Sequence, residues 1–312
     1  MRDAFFRALA EAAERDSSLW ALTGDLGIGL FDEFQRRAPG RYLNVGIAEQ
    51  ALVGVAAGLA YTGQRAVVYS IAPFLTARAH EQVRVDVALS HARVTLVGVG
   101  GGVAYGYLGP THHGSEDLAV MRALPGMTVL APGDPGETAE AARAAFELEG
   151  PVYLRLGKHG EPALLDVEPF AIGRARVLAE GEDVVLVSTG AILAEVLEAA
   201  RHLRAAGIRP SVLHYPTLKP FDAGALVEAA RRTGAVVSVE EHTVIGGLGS
   251  AAAEALAEHG VGARLTRLGL PDTFAQPVGS RAFIVSEYGF DATGIARAAE
   301  RLIGAGRLRT VA

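Results

Sequence analysis

Cysteine is absent from this 312-residue sequence, which excludes disulfides, thiolate catalysis and cysteine-ligated zinc. A chain without thiols fits a reducing cytoplasm, the expected location. No apolar run approaches the roughly 18 residues of a membrane-spanning helix. The opening MRDAFFRALAEAAERD lacks the unbroken apolar stretch of a secretion signal and reads as an amphipathic helix. Charge of one sign is nowhere concentrated: the formal net charge is -6 and charged residues make up 21% of the chain, with no block of like sign. That mild acidity argues against nucleic acid or an anionic membrane as a partner, since both favour basic patches. Two phosphate-binding fingerprints are missing as well. The glycine-rich segment 98–114 fits no GxGxxG pattern and opens no helix, and no Gly-Lys-Ser/Thr follows it.

What is present is length and apolar content. A chain of 312 residues, half of them apolar, exceeds one ordinary core and implies two domains. Short β-branched runs at 19–23, 66–70, 93–99, 127–131 and 152–156 predict strands. Alanine-rich stretches between several of them, at 47–60, 77–89 and 136–148, predict helices. Residues 157–180 break the rhythm. It resumes with predicted strands at 183–188, 209–215, 235–240 and 263–268 and a helix at 191–206. Continuous apolar strands alternating with helices imply parallel sheets covered on both faces. The expected fold is α/β, with two parallel-sheet domains at 1–160 and 181–312 joined by a linker over 161–180.

Four groups of residues could carry chemistry. Glu49 sits in the first turn of the 47–60 helix, which is apolar nearly all round and hence predicted to be buried. Two readings stand for it: a carboxylate stationed to satisfy the helix dipole, or an acid/base group whose pKa desolvation raises. Phe74 lies just past a predicted central strand, where open α/β sheets bind ligands, although a core Phe is the commoner meaning. The glycine-rich segment reads as a long active-site loop closing on His112 and His113. No third ligand is spaced to make these a metal site, so a catalytic or substrate-contacting histidine is favoured; His113 is also readable as a surface residue. Arg155, Lys158 and His159, after the last strand of the first half, read either as anion-holding groups or as solvated linker charges.

Taken together and in order, VGIAEQ (45–50), GPTH (109–112), ALPGMTVLAPGDP (123–135) and EEH with the following GGLGS (240–250) resemble the transketolase and deoxyxylulose-phosphate synthase family. The resemblance runs from about residue 1 to 305 and covers the family's pyrimidine-binding and C-terminal domains. It omits the domain that holds the cofactor diphosphate and its metal through a GDG motif; here Gly24-Asp25 is followed by Leu26, and the motif occurs nowhere. The resemblance therefore implies thiamine diphosphate as cofactor and Mg2+ held by a separate, N-terminal transketolase-type partner subunit in an α2β2 heterotetramer. The implied reaction is transfer of a two-carbon unit from a ketose or 2-oxo donor to an aldehyde.

By the same resemblance, Glu49 matches the glutamate that hydrogen-bonds N1′ of the aminopyrimidine. Phe74 matches the ring that stacks on it, and Asp25 an aspartate near the thiazolium. Arg78, on the helix after Phe74, joins the cofactor-binding set. His112 matches a histidine beside the reacting carbon, with His113 next to it, and Lys158 falls where the family places a phosphate-binding arginine. There are departures. Leu108 replaces an aspartate directed at a substrate hydroxyl in sugar-using relatives, Ile71 replaces a second stacking aromatic, and glycine near 100 or 101 replaces a basic phosphate contact. These imply intact cofactor machinery with altered substrate contacts. The competing readings are the β subunit of a 2-oxoacid dehydrogenase, which shares this plan, and a non-catalytic scaffold of the same fold.

Overall fold

The alternation of apolar strands with alanine-rich helices produces two sheets. The computed structural model describes residues 1–165 and 170–310. Its strands are β1 (Leu19–Thr23), β2 (Tyr42–Asn44), β3 (Arg65–Ile71), β4 (Val94–Val99), β5 (Thr128–Leu130), β6 (Val152–Leu156), β7 (Arg176–Ala179), β8 (Val184–Ser188), β9 (Pro210–His214), β10 (Thr217–Lys219), β11 (Ala235–Thr243) and β12 (Arg264–Leu270). The helices of the first half are α1 (Arg2–Arg15), α2 (Asp32–Arg37), α3 (Glu49–Tyr61), α4 (His80–Gln82), α5 (Asp117–Ala123) and α6 (Pro135–Glu147). Those of the second half are α7 (Leu193–Ala205), α8 (Ala223–Thr233), α9 (Leu248–Glu258), α10 (Arg281–Glu287) and α11 (Ala292–Thr310). None of the described helices is long and apolar enough to cross a membrane.

The first sheet runs β10-β5-β6-β4-β3-β1-β2 and the second β12-β11-β8-β9-β7. Both are parallel except at one edge, where β10 pairs antiparallel with β5 and β7 antiparallel with β9. The central strands are buried along their whole length, as continuous Val/Leu runs require. Local signals start and stop the helices. Pro135 opens α6 behind Asp134, whose side chain accepts from the Glu137 N–H at 2.8 Å, and Gly234, at φ +63°, ends α8 in the left-handed conformation.

One expectation needs correction. The stretch read as a linker over 161–180 contains β7, an edge strand of the second sheet; its residues 166–169 lie outside the described residues. The two halves are also interlocked. β10, from the C-terminal half, completes the first sheet, and one buried apolar cluster includes Leu22, Val68 and Leu96 together with Val185, Leu213 and Val236.

A buried polar group fastens the halves. Glu137 Oε2 accepts from the Gly133 N–H at 2.7 Å and lies 3.0 Å from His214 Nε2, while Oε1 accepts from Arg176 Nε at 2.6 Å. His214 Nδ1 lies 3.0 Å from the Ser188 hydroxyl. The order serine, histidine, carboxylate is that of a nucleophilic triad, but all three side chains are buried, leaving no room for a substrate. Burial alone would raise the Glu137 carboxyl; the facing His214, the Gly133 N–H and Arg176 together hold it below its ordinary value. A carboxyl depressed in the folded state stabilises fully above its unfolded-state pKa, and that stability is lost as pH falls through the folded value. Glu137→Gln leaves Arg176 and His214 facing an uncharged group. The loss of these hydrogen bonds to a charged acceptor is expected to lower stability at pH 7 by about 1–3 kcal/mol, with the gap to the wild type closing on acidification below about pH 4. Calorimetric melting across pH checks both the size and the direction.

Candidate active site

Four neighbouring strands, β6, β4, β3 and β1 in sheet order, run parallel and end on the same side. Each leads into a segment carrying a candidate residue. Asp25 follows β1, Phe74 follows β3, the loop with His112 follows β4 and Lys158 follows β6. The carboxyl ends of parallel strands are where such sheets bind ligands.

Glu49 is the first residue of α3 and only 2% exposed. Its Oε2 accepts from Arg78 Nη1 at 2.8 Å, and the helix start favours its negative charge. The Arg78 guanidinium lies 4.4 Å above the centroid of the Phe74 ring. Phe74 and Arg78 bound a π-helical segment, Phe74–Arg78, and a second follows at Val83–Leu89, where the sequence predicted one regular helix from 77. Such turns occur often at functional sites. Phe74 meets the His112 ring edge to face at 5.3 Å, and His112 meets Tyr105 at 6.4 Å. The Thr111 hydroxyl lies 2.9 Å from His112 Nδ1. Lys158 Nζ sits 5.0 Å from the centroid of the Tyr105 ring. Residues from four segments thus form one line of contacts: Glu49, Arg78, Phe74, His112, Tyr105, Lys158.

The remaining candidates are placed apart from that line. Asp25 is exposed at a left-handed φ of +61°, held by Asn44, whose Oδ1 accepts from the Asp25 N–H at 2.9 Å and the Gly46 N–H at 3.0 Å. The same asparagine therefore joins Asp25 to the turn that leads into Glu49. Ile71 is buried at the end of β3 in the apolar core that Phe74 borders. Leu108 is 53% exposed on the loop. His113 is not a surface residue: it is buried, its ring nitrogens make no hydrogen bond of normal geometry with the described residues, and burial outweighs the facing Glu241 and the Gly106 backbone in pushing its imidazole below the ordinary value. Among the described residues, no three His, Asp or Glu side chains are grouped to hold a metal.

Arg155 corrects the reading of an anion-holding group. It is buried, with Nη2 donating to the carbonyls of Gly114 at 3.0 Å and Glu241 at 2.6 Å, and Nε 3.0 Å from Asp117 Oδ2. The Tyr153 hydroxyl donates to the same Asp117 oxygen at 2.6 Å. Glu241 in turn accepts from the Val103 N–H at 2.9 Å and from Arg281 Nε at 2.7 Å. This buried group explains the glycines of the loop, which no phosphate motif did. A Cβ at Gly98 would come within 2.9 Å of Tyr153 Cε2, one at Gly101 within 2.7 Å of Arg155 Cγ, and one at Gly102 within 2.6 Å of the Glu241 carbonyl oxygen. The signal available in the sequence was a charge inside an apolar strand: Arg155 in VYLRL and the Glu240-Glu241 pair in AVVSVEEHT, neither of which is buried without a partner.

A cleft of about 300 Å³ beside the line of contacts is bordered by Gly101, Tyr107, Lys158, His159, Glu161 and Arg281. A roomier one, about 630 Å³, lies at the opposite, amino end of the strands, against Leu19, Arg65 and Arg93, away from every candidate residue.

Residues 1–160 match the family described as "Transketolase, pyrimidine binding domain" and residues 173–295 the one described as "Transketolase, C-terminal domain". The chain belongs to the transketolase family. It is 37% identical over 301 residues to an apulose-4-phosphate transketolase subunit of Phocaeicola vulgatus, covering 96% of each chain. It is 40% identical over 306 residues to the 6-deoxy-6-sulfo-D-fructose transketolase subunit SqwH of Clostridium sp., covering 97% of this chain and 94% of that one. Among solved structures, one titled "Split gene transketolase, inactive beta4 tetramer" superposes with a TM-score of 0.90 at 38% identity, over 97% of this chain and 98% of the other. The expectation of two mostly parallel α/β domains of the transketolase type is thereby borne out, and the chain is a transketolase-like enzyme subunit.

The glycine-rich loop of this transketolase chain yields a prediction. Gly101→Ala drives a methyl group into the Arg155 side chain, which is fixed at three points. A loss of about 1–3 kcal/mol is expected, typical of overpacking, whereas alanine at Gly29, where nothing lies within 4 Å of the added Cβ, strains only the backbone. Comparing the denaturant midpoints of both variants with the wild type checks this.

Proposed function

We propose that this chain is the pyrimidine-binding subunit of a thiamine-diphosphate-dependent enzyme that cleaves a ketose or 2-oxo donor and passes a two-carbon unit to an aldehyde. It is complete only with a second polypeptide that carries the diphosphate- and Mg2+-binding domain. The observation that carries the reading is the buried Glu49 carboxylate beside the half-buried Phe74 ring, at the carboxyl ends of the central strands.

These residues fit the cofactor. A carboxylate 2% exposed, whose one partner among the described residues is the half-exposed Arg78, retains acceptor capacity for a further hydrogen bond. Phe74 offers an apolar face. Thiamine diphosphate, when bound, supplies the carbanion equivalent that takes up and delivers the two-carbon unit. Glu49 would hold the proton at N1′ of the aminopyrimidine, Phe74 would stack on that ring with Ile71 behind it, and Arg78 would steady Glu49. Asp25 would stand near the thiazolium. His112 would exchange a proton with the reacting substrate oxygen, with His113 packed beneath it, and Lys158 would meet an anionic substrate end as a point charge.

The partner requirement is supported by α3. The helix buries Leu52, Val53, Ala56 and Ala57, yet leaves Val55 and Tyr61 exposed, together with the preceding Ile47 at 78%. An apolar helix with one bare face suits a contact between chains. The solved relative whose title names an inactive β4 tetramer, and two relatives named as transketolase subunits, support the same reading. Those two relatives are named for a sugar phosphate and a sulfonated sugar, which supports an anionic sugar as substrate; Leu108, exposed on the loop, offers no acceptor to a sugar hydroxyl.

Three outcomes are expected. Co-expressed with its partner, the chain elutes as an α2β2 assembly by light scattering; a stable, active monomer would sink the idea. In that complex, Glu49→Gln slows deuterium exchange at the cofactor C2 by about a hundredfold or more while its melting temperature stays near the wild type, and exchange at the normal rate refutes the role of Glu49. Xylulose 5-phosphate is a weak donor that Leu108→Asp improves; efficient use by the unaltered complex overturns the reading of Leu108.

A further inference from the structure

The chain is rich in arginine, and Lys158 and Lys219 are its two lysines. Their surroundings differ. The Lys219 amine donates to the carbonyls of Arg122, at 2.9 Å, and Leu124, tying β10 to the end of α5. Lys158 has neither hydrogen bond nor ion pair with any described residue; its ammonium rests on the face of Tyr105. A cation over an aromatic ring is attracted by the ring quadrupole without a hydrogen-bond acceptor being spent on it, so N–H donors on the side away from the ring stay available to a ligand.

Tyr105 is itself held firmly. Its ring takes the space left open by Gly100, where φ is +74° and a Cβ would lie 3.1 Å from Tyr105 Cζ. It packs at the margin of the apolar core that contains Tyr69, and its edge meets His112. Burial raises the phenol above its ordinary pKa, so the hydroxyl stays neutral and the ring face, not a phenolate, holds the lysine. A side chain at Gly100 and the Tyr105 ring cannot share this space.

Resting on the catalytic reading above, we propose that Tyr105 is a positioning residue: it fixes the Lys158 ammonium at the end of the contact line from Glu49, where it receives the tetrahedral oxyanion tail, phosphate ester or sulfonate, of the substrate. The cleft bordered by Lys158, His159 and Arg281 is the space into which that tail extends. Lysine suits this task because a compact, freely rotating ammonium accepts either tail without a bidentate match. The two carboxylates at the cleft do not compete for it. Glu241 is engaged by Arg281 and the Val103 N–H, and Glu161 by the Met1 amine at 3.1 Å.

Tyr105→Leu keeps apolar bulk but removes the ring, and Tyr105→Phe keeps the ring but removes the hydroxyl. With the lysines reductively methylated with carbon-13, the Lys158 signal of the chain is expected to show a ring-current displacement in the wild type and Tyr105→Phe, lost in Tyr105→Leu. Inorganic phosphate or methanesulfonate should move that signal and spare Lys219; a response to one anion only assigns the tail. In the complex with its partner, Tyr105→Leu should raise KM for glyceraldehyde 3-phosphate about threefold to thirtyfold, the range of one cation–π contact. Any effect passed on through the neighbouring His112 falls on both acceptors alike, so the deciding quantity is the KM ratio of glyceraldehyde 3-phosphate to uncharged glycolaldehyde, which should rise by that factor in Tyr105→Leu and keep its wild-type value in Tyr105→Phe. Equal losses on charged and uncharged acceptors, a Tyr105→Phe defect as large as that of Tyr105→Leu, or a Lys158 signal indifferent to both anions would overturn the proposal. A complex without two-carbon transfer would instead remove the catalytic reading, and the Lys158 signal would still decide the role of Tyr105.

Discussion

The buried guanidinium of Arg155 is the point on which the architecture of the site depends. From the end of β6 it binds the carbonyl of Gly114, where the glycine-rich loop returns, and the carbonyl of Glu241, on β11 of the second sheet. An arginine in a core is costly unless its N–H donors meet acceptors and its charge is balanced. Asp117 balances it, and Tyr153 steadies Asp117. Loop, first sheet and second sheet are therefore joined through one buried side chain.

The glycines follow from that constraint. Gly98, Gly101 and Gly102 pass over Tyr153, Arg155 and Glu241 at distances that admit no Cβ. A glycine-rich loop beside a strand end suggests phosphate; here the backbone runs close to a buried polar group of its own protein. The loop is thus pressed against the second half of the chain, and its far end delivers Tyr105 and His112 to the line that begins at Glu49. Glu137 and His214 make a comparable junction on another side of the interface, and the edge strand β10 a third. The C-terminal half shapes the site by fixing the loop, without supplying any residue of the Glu49 to Lys158 line.

The cleft beside Lys158 shows how packing around the loop glycines sets the surroundings of a cation. A side chain at Gly100 or Gly101 would need space that Tyr105 and Arg155 fill here. Lys158 lies on the Tyr105 ring that occupies the space at Gly100. A compact cation on an aromatic face discriminates less by geometry than a guanidinium fork does.

Much was determined by the sequence alone. Period and apolar runs placed most of the strands, because a strand buried on both faces must be apolar throughout. Four short motifs in a fixed order identified the transketolase family, because each marks a backbone turn or side chain needed at a particular strand end. The roles proposed for Glu49, Phe74, His112 and Lys158 were legible for the same reason. Other features were decided only by tertiary structure. The edge strands β2, β7 and β10 are three or four residues long and carry no periodicity strong enough to read. That Arg155 is a buried clamp, that His113 is enclosed, that α3 keeps one apolar face bare and that Lys158 rests on Tyr105 all depend on which segments meet across long stretches of chain. Burial and partnership are properties of such meetings, and no local pattern encodes them.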